Sequence, residues 1–600
     1  MLSTKAKYLL EVSWEVCNKI GGIYTVIKSK ASNIIDYYKE NYFLIGPYFA
    51  DKALGVFLEE APPEQLNPLF KSLQKEGIIV RTGKWLIEGE PSVFLIDFNS
   101  IRHKANDIKK ELWESFKIDS LRGAADYDEP IVFSYAAYRL IKGLSEIFNE
   151  KIVVQSHEWL TGAALLLLKR DNAKVGTVFT THATVLGRAL AANNVDLYYK
   201  DKSGKCNLEL MDLNKISYDY YIEAKHQVEK ASAQNSDIFT TVSEITGLEA
   251  YYTLGRKPDV ILPNGLFMDK FPTFEEASIK HRINRWQIQK FIMSYFFPYY
   301  TFDLGNTLIY FLAGRYEFRD KGIDVFIKAL DKLNVRLKKE KSSKTIVAFI
   351  WVPTSIRGIK PELLTNKANF DDLMDLFGEE EEESNKKIVI NLLSKIKIKE
   401  ENIFGEEFLE ESKRILMRFR AKGAPPLSTH DLMEQNDVIM KTLLECGLVN
   451  HDDDRVKIIF YPIYLTGADG LLNLTYDQSM NGAHLGVFPS SYEPWGYTPL
   501  EAGALGVSSV TTDLAGFGRY VRGKASSEQY PGIFVLKREG RTDQEIIDDL
   551  SNFMYYFASL SKHDRVKNKL EAKRLAGLAD WKILIENYII AHNKAAEKIK

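Results

Sequence analysis

Glu493 and Glu501 stand eight residues apart within the string SSYEPWGYTPLEAGALGVSSV, residues 490–510. The apolar run just before it, residues 484–489, reads as a buried strand, and Pro499 suits the first turn of a helix starting at about that position. Both carboxylates therefore fall at a strand's C-terminal end, one in the turn and one about a helical turn inside. Open α/β sheets bind ligands at such ends, and a helix N-terminus there favours phosphate. Glutamate in a first helical turn also complements the helix dipole without doing chemistry, so the pair alone leaves both readings open.

Other residues fall into the same pattern. Arg315 and Lys321, six apart, follow the run that starts at Thr307 and can clamp a diphosphate without metal through charge-assisted hydrogen bonds. Two surface cations would look the same. Lys19, Gly21 and Gly22 lie between a predicted strand at 9–14 and an apolar-periodic helix at 23–38, where glycine lets a phosphate approach backbone N–H groups. A tight turn would need the same glycines. Between residues 153 and 265 the runs IVVQSHEWL, TVFTTHATVLGR, IFTTVSE and VILPNG each end in polar residues, which places His157, His182, Arg188, Ser243 and Asn264 along one crevice. One histidine at a strand end is more often structural than catalytic, but four successive strands with the same ending point to a site.

Short β-rich runs separated by helical stretches at 160–169 and 218–233 predict a parallel sheet covered on both faces. A charged helix at 275–296 follows, and six further runs start at Thr307, Thr345, Val456, His484, Val507 and Ile533. The expected fold class is α/β with two facing Rossmann-like domains, 1–267 and 268–575. A helical insertion interrupts the second at about 361–445, and residues 576–600 form a helix crossing back to the first. Six hundred residues exceed what one core supports. A formal net charge of −2 implies neither a nucleic-acid nor a membrane field. Cys17, Cys206 and Cys446 lie too far apart for metal spacing or a disulfide framework, and with no signal peptide or long apolar run the expectation is a soluble protein of the reducing cytoplasm. The glutamates at 379–383 are expected in a solvated or disordered loop. Asp126, Asp128 and the aspartates at 452–454 are expected in turns of polar linkers, because a metal serving a diphosphate would sit at a strand end. No metal and no cofactor is expected.

The strings EVSWEVCNKIGGIYTVIKSKA, THATVLGR, GRYEFRDKG and EPWGYTPLE resemble, in order, those of the animal and fungal glycogen synthases, retaining glycosyltransferases of GT-B architecture. The resemblance runs from Leu10 to about Tyr588 and is weakest at 357–434. It implies transfer of glucose from UDP-glucose, or ADP-glucose, to the 4-hydroxyl of a glycogen or α-1,4-glucan chain end. Carried over position by position, it puts Glu493, Arg315, Lys321 and His182 at the reacting centre. Lys19, Gly21 and Gly22 would approach the diphosphate and acceptor, and His157, Arg188 and Asn264 would line the hexose and phosphate pocket. Tyr476 would stack on the base, with Tyr497, Thr498 and Glu501 beside the nucleotide and Glu501 on the ribose. The helical insertion implies a homo-oligomer. A glucose-6-phosphate pocket is implied at His281, Arg285, His484, Arg565 and Lys569, with Arg574 also on a matching position. Lysine at 569 and Glu571 where the family has arginine give an expectation of weak or absent activation. The short ends give an expectation that control through phosphorylated tails is absent. A sucrose- or trehalose-phosphate-forming synthase would share the glutamate pair and the clamp without these wordings, glucan phosphorylase would need a cofactor lysine, and an inactive glycogen-binding scaffold would be told apart by turnover.

Overall fold

The apolar runs pair into two parallel sheets in the computed structural model, which describes residues 2–200 and 203–599. In the first, β1 (Tyr8–Val12) lies between β2 (Tyr42–Pro47) and β6 (Ile152–His157), parallel to both. Beyond β2 comes β5 (Ser92–Asp97), and beyond β6 come β7 (Gly176–Thr181), β8 (Ile238–Thr241) and β9 (Val260–Ile261), all parallel. Two antiparallel strands, β3 (Phe57–Glu60) and β4 (Ile79–Trp85), extend the β5 edge. Sequence reading does not reach β2, β3, β4 or β5: β3 is a short, largely exposed edge strand without an apolar run, whereas β2 and β5 are buried parallel strands whose runs, Tyr42–Pro47 and Ser92–Asp97, it passes over.

The second sheet holds β10 (Thr307–Ala313), β11 (Thr345–Trp351), β14 (Val456–Tyr461), β15 (Leu485–Val487), β16 (Ser508–Thr512) and β17 (Ile533–Leu536). All are parallel, in the order β14-β11-β10-β15-β16-β17. By chain order within the sheet this is 3-2-1-4-5-6, and the parallel strands of the first sheet run the same way. The direction of winding reverses between β1 and β6 and again between β10 and β15. A crevice opens at the C-terminal ends of the strands at each reversal.

A small antiparallel pair, β12 (Ile356–Ile359) and β13 (His430–Leu432), carries the insertion helices Pro361–Glu379, Glu381–Leu393 and Glu406–Phe419. The glutamates at 379–383 are not a loop. They straddle the joint between the first two of these helices, and Glu382 and Glu383 pair at i,i+4 with Lys386 and Lys387. Acidic side chains in a first helical turn answer the N-terminal dipole, which also explains why Asp126 and Asp128 lie in the first turn of helix Ala125–Ile147 rather than in a linker turn. The helix expected at 218–233 is two, Leu213–Asp219 and Glu223–Asn235, broken at Tyr221 with φ 57°. The helix expected from about Pro499 begins at Tyr497.

One buried cluster spans both halves, joining Val26 and Ile27 to Leu500, Phe517 and Ile533, and to Leu575, Trp581, Leu584 and Tyr588. Helix Trp581–Glu597 lies against β7 and helix Gly22–Tyr38. Its first residue, Trp581, is fully buried, donates its indole N–H to Ser29 Oγ at 2.7 Å, and packs where a Cβ on Gly265 would come within 2.8 Å. Among the described residues no helix is long and apolar enough to cross a membrane. Trp581→Ala should cost about 3–5 kcal/mol, the usual range for emptying a large buried site, and lower the urea midpoint. An unchanged midpoint would show that the last helix is not part of the cooperative fold.

Candidate functional site

A cleft of about 1280 Å³ separates the strand ends of the two sheets. Lys19, Gly21, Gly22, His182, Arg188 and Asn264 line it from the first half, and Arg315, Lys321, Glu493, Tyr497 and Thr498 from the second. Four of the residues expected along the crevice, His157, Ser243, Tyr476 and Glu501, are not part of its lining. His157 is buried under His182, with 3.0 Å between the rings' nitrogens. Tyr476 lies outside the lining of the cleft: it opens helix Tyr476–Gly482 behind a Thr475/Gln478 capping box and packs on the Leu471–Leu474 cluster. Its hydroxyl meets Thr498, close to Glu501. Burial, with Asp477 nearby, pushes the Glu501 carboxyl up to about 7.

The second half supplies the cations. Lys321 Nζ is 2.5 Å from Glu493 Oε2 and 4.0 Å from Glu317, while Arg315 reaches Glu317 at 3.0 Å and is otherwise exposed to the cleft. Gly322, at φ 67°, holds Lys321 there, because any Cβ at that position would sit 2.2 Å from the Pro489 carbonyl. Both residues flanking Glu493 are tied to the opposite half. The Tyr492 hydroxyl donates to Glu249 Oε1 at 3.2 Å, and Ser243 Oγ donates to the Pro494 carbonyl at 2.6 Å. Ser243 caps helix Glu244–Leu254, which carries Glu249, so one helix grips the Glu493 loop at two points.

The first half supplies carboxylates that sequence reading missed. Glu15 accepts from the Gly21 and Tyr24 amides, both at 2.8 Å, and so occupies a helix N-terminus that the glycines were expected to leave to a phosphate. Glu158 sits at φ 63°, ψ 170°, a conformation costing about 1–3 kcal/mol, and accepts from the His182 and Ala183 amides. Burial pushes its carboxyl up to about 7 against the pull of Arg188. Burial raises Glu229 and Glu249 as well. The Arg188 guanidinium feels Glu158, Glu229 and Glu249 without a hydrogen-bonded carboxylate of its own among the described residues. Asn264 Oδ1 and the Tyr497 hydroxyl are buried with no hydrogen-bond partner among the described residues. Only the Glu158 carboxylate had a visible signal, as the residue after His157 in a strand-end string.

Elsewhere on the second half the other five basic residues gather. His281 Nδ1 is 2.5 Å from the Asn481 carbonyl, Arg285 is 3.2 Å from His484 Nε2, and Arg565 donates to the Leu560 carbonyl at 2.6 Å. Burial, then Arg285 and Arg565, bring the Lys569 ammonium down to about 7. Glu571 is turned away from them: it accepts from the Ser526 amide at 2.6 Å and pairs with Arg574 at 2.7 Å. Arg574 is therefore held outside the cluster, and Glu571 subtracts no charge from it.

The glycogen synthase family profile matches residues 11–600. The glycogen [starch] synthase of Dictyostelium discoideum is 37% identical over 599 residues, spanning 99% of this chain and 67% of that protein. The liver glycogen [starch] synthase of Mus musculus is 36% identical over 584 residues, 97% of this chain and 82% of that protein. The chain belongs to the glycogen synthase family. Its fold is similar to the catalytic domain of starch synthase IV from Arabidopsis thaliana, solved with ADP and acarbose, at TM-score 0.51 and 13% identity over 99% of this chain and 100% of that one. For a glycogen synthase family member the two bonds flanking Glu493 carry an expectation. A hydrogen bond to a charged group is worth about 1.5–3 kcal/mol, so Tyr492→Phe should lower kcat about tenfold or more in a glucose-transfer assay. An unchanged kcat would show that Glu249 does not hold the loop.

Proposed function

We propose that this protein transfers glucose, with retention, from a nucleotide-glucose to the 4-hydroxyl of a glycogen or α-1,4-glucan chain end, with UDP-glucose as the donor and ADP-glucose as the second choice. The observation that carries the reading is the Lys321–Glu493 contact of 2.5 Å at the cleft, where the strand-end crevices of both sheets meet. The departing diphosphate is stabilised by Lys321 and Arg315, with Lys19 and the Gly22 backbone opposite, so no metal is needed for that charge. Asn264 and His182 meet the hexose, His157 supports His182, and Arg188 lies near the phosphates. Tyr497, Thr498 and Glu501 hold the nucleotide side, with Tyr476 beneath them. Glu493 orients the reacting centre as the acceptor attacks on the face the diphosphate leaves, and approach of the halves 1–267 and 268–575 excludes water. Glu493→Gln should lower kcat at least about a hundredfold with little change in donor KM, comparable to losing one preorganised electrostatic element. Near-normal turnover would remove Glu493 from the mechanism.

Assembly and control follow from two surfaces. Val389, Ile390, Leu392 and Leu393 expose an apolar face on helix Glu381–Leu393, which fits a homo-oligomer through the insertion and is measurable by light scattering. The free thiols of Cys17, Cys206 and Cys446 fit a cytoplasmic location. The cluster of His281, Arg285, His484, Arg565 and Lys569 suits glucose-6-phosphate, and with Glu571 diverted the remaining reason for weak activation is a lysine in place of a bidentate arginine. Because Lys569 titrates at about 7, glucose-6-phosphate should bind more tightly at pH 6 than at pH 8, and Arg565→Ala should abolish binding while leaving basal turnover intact. Calorimetric titration at both pH values checks this; equal affinities would show that Lys569 does not meet the phosphate.

A further inference from the structure

Behind His182 and His157 lies a buried pair, Lys30 and Glu11, that the reaction scheme above does not use. Lys30 Nζ reaches both oxygens of Glu11, at 2.6 and 2.7 Å, and neither side chain has any solvent exposure. The Tyr42 hydroxyl donates to Glu11 Oε2 at 2.6 Å, and the ring of Tyr588 lies 5.0 Å from the ammonium. An ammonium that grips both oxygens requires the carboxylate form, and a carboxylate only accepts. Glu11 Oε1 is 2.6 Å from His157 Nε2, so that nitrogen carries the proton. Burial holds the His157 imidazole neutral, which leaves its Nδ1 as a bare lone pair. That lone pair lies 3.0 Å from His182 Nε2, which must then be the N–H donor. Burial, with His157 and Lys30 close by, keeps His182 neutral too, so its remaining nitrogen, Nδ1, is unprotonated. That atom has no protein partner among the described residues, and the ring lines the cleft.

We propose that the buried Lys30–Glu11 pair sets the proton order of the His157–His182 chain, so that His182 offers the cleft an acceptor, selecting a hexose hydroxyl at that point and rejecting phosphate oxygens. The proposal rests on the glucosyl-transfer reading for the ligand's identity, but the proton order is a property of the protein alone. A hydroxyl can donate to a lone pair. An ionised phosphate oxygen cannot, and meets it lone pair to lone pair. Lys30 and Glu11 are thus positioning and specificity residues for the hexose pocket. They fix which end of a nucleotide-sugar enters the first half.

Lys30→Met reverses the chain. Without the ammonium the buried Glu11 takes up a proton and donates it to His157 Nε2, His157 Nδ1–H donates to His182 Nε2, and Nδ1 of His182 then carries hydrogen into the cleft. Lys30→Arg keeps the charge and the order. The test compares nucleotide-glucose donors in which each hexose hydroxyl in turn is replaced by fluorine, which accepts weakly and cannot donate. The wild type should discriminate against one of them by at least about a hundredfold in kcat/KM, because a site built to bond a hydroxyl rejects analogues lacking it. That ratio should narrow at least about tenfold in Lys30→Met and hold in Lys30→Arg; dividing variant by wild type cancels the inductive effect of fluorine on the reaction itself. An unchanged ratio in Lys30→Met overturns the proposal. Nitrogen NMR of the wild type with labelled histidine, assigned by the loss of signal in His182→Gln, checks the order without any change at Lys30. A protonated, pyrrole-like Nδ1 in His182 overturns it, and an unprotonated, pyridine-like Nδ1 supports it. A wild type that shows the pyridine-like signal but turns over no nucleotide-glucose would instead count against the glucosyl-transfer reading.

Discussion

Reversal of winding direction is the constraint from which the site follows. In each sheet the first and fourth parallel strands are neighbours, so the connections leaving them go to opposite faces and leave a gap that no helix covers. Gly21 and Gly22 follow β1 and His157 ends β6; Arg315 and Lys321 follow β10 and Glu493 follows β15. The groups that line the cleft are thus distributed by topology, though 172 residues separate Lys321 from Glu493. The shared core of Val26, Leu500, Phe517 and Trp581 keeps the two gaps facing one another, and the grip of helix Glu244–Leu254 on the Glu493 loop fixes their separation.

Charge is mixed on both walls: Arg315, Arg319 and Lys321 stand with Glu317, Asp320 and Glu493 on one, while Lys19, Arg188 and Lys225 stand with Glu15 and Glu158 on the other, where Glu229 and Glu249 lie buried within the field of Arg188. Within the proposed reaction the departing diphosphate takes negative charge towards Lys321 and Arg315, and the hexose it leaves becomes electron-poor near Glu15 and Glu158. Burial opposes the arrangement by pushing Glu158 and Glu229 towards their neutral forms, and Arg188 offsets part of that cost. Strained Glu158 belongs to the same account, since its unfavourable backbone lets one carboxylate accept two amides at the end of β7.

Most of the parallel sheets was legible because strands buried on both faces must be continuous apolar runs, as in TLIYFLA and TIVAFIW. The antiparallel edge was not, since β3 is exposed along most of its length. Helices were found where an apolar stripe repeats, but helix and loop are indistinguishable in a glutamate run whose stabilisation comes from the dipole and from i,i+4 lysines. The cleft's cations and Glu493 were visible as strand-end residues. Whether a residue lines the cleft or stands next to its lining was not, as Tyr476 and Glu501 show. Apart from Glu158, which follows His157 in a strand-end string, the carboxylates around Arg188 and the Lys30–Glu11 pair had no local signature. Lys30 looks like any polar residue on an amphipathic helix, and its burial depends on Tyr588, which arrives from the far end of the chain.

The departure at Glu571 shows how a change read from sequence can be neutralised by its surroundings. Placed on the same helix as Arg565 and Lys569, a glutamate ought to lower the potential there, yet its carboxylate is spent on Arg574 and the Ser526 amide. What remains is a set of cations in which Lys569 is buried beside Arg285 and Arg565, and folding must bear the burial of its charge first and the repulsion second. The Lys569 ammonium falls from its ordinary 10.5 to about 7, so the unfolded chain binds more protons than the folded one between those values and stability rises with pH across that window. Below it Lys569 is charged in both states and the full cost is present. An anion seated among Arg285, Arg565 and Lys569 would remove the cost where it is largest, so the strain that the fold tolerates in these residues is also the driving force for filling the pocket.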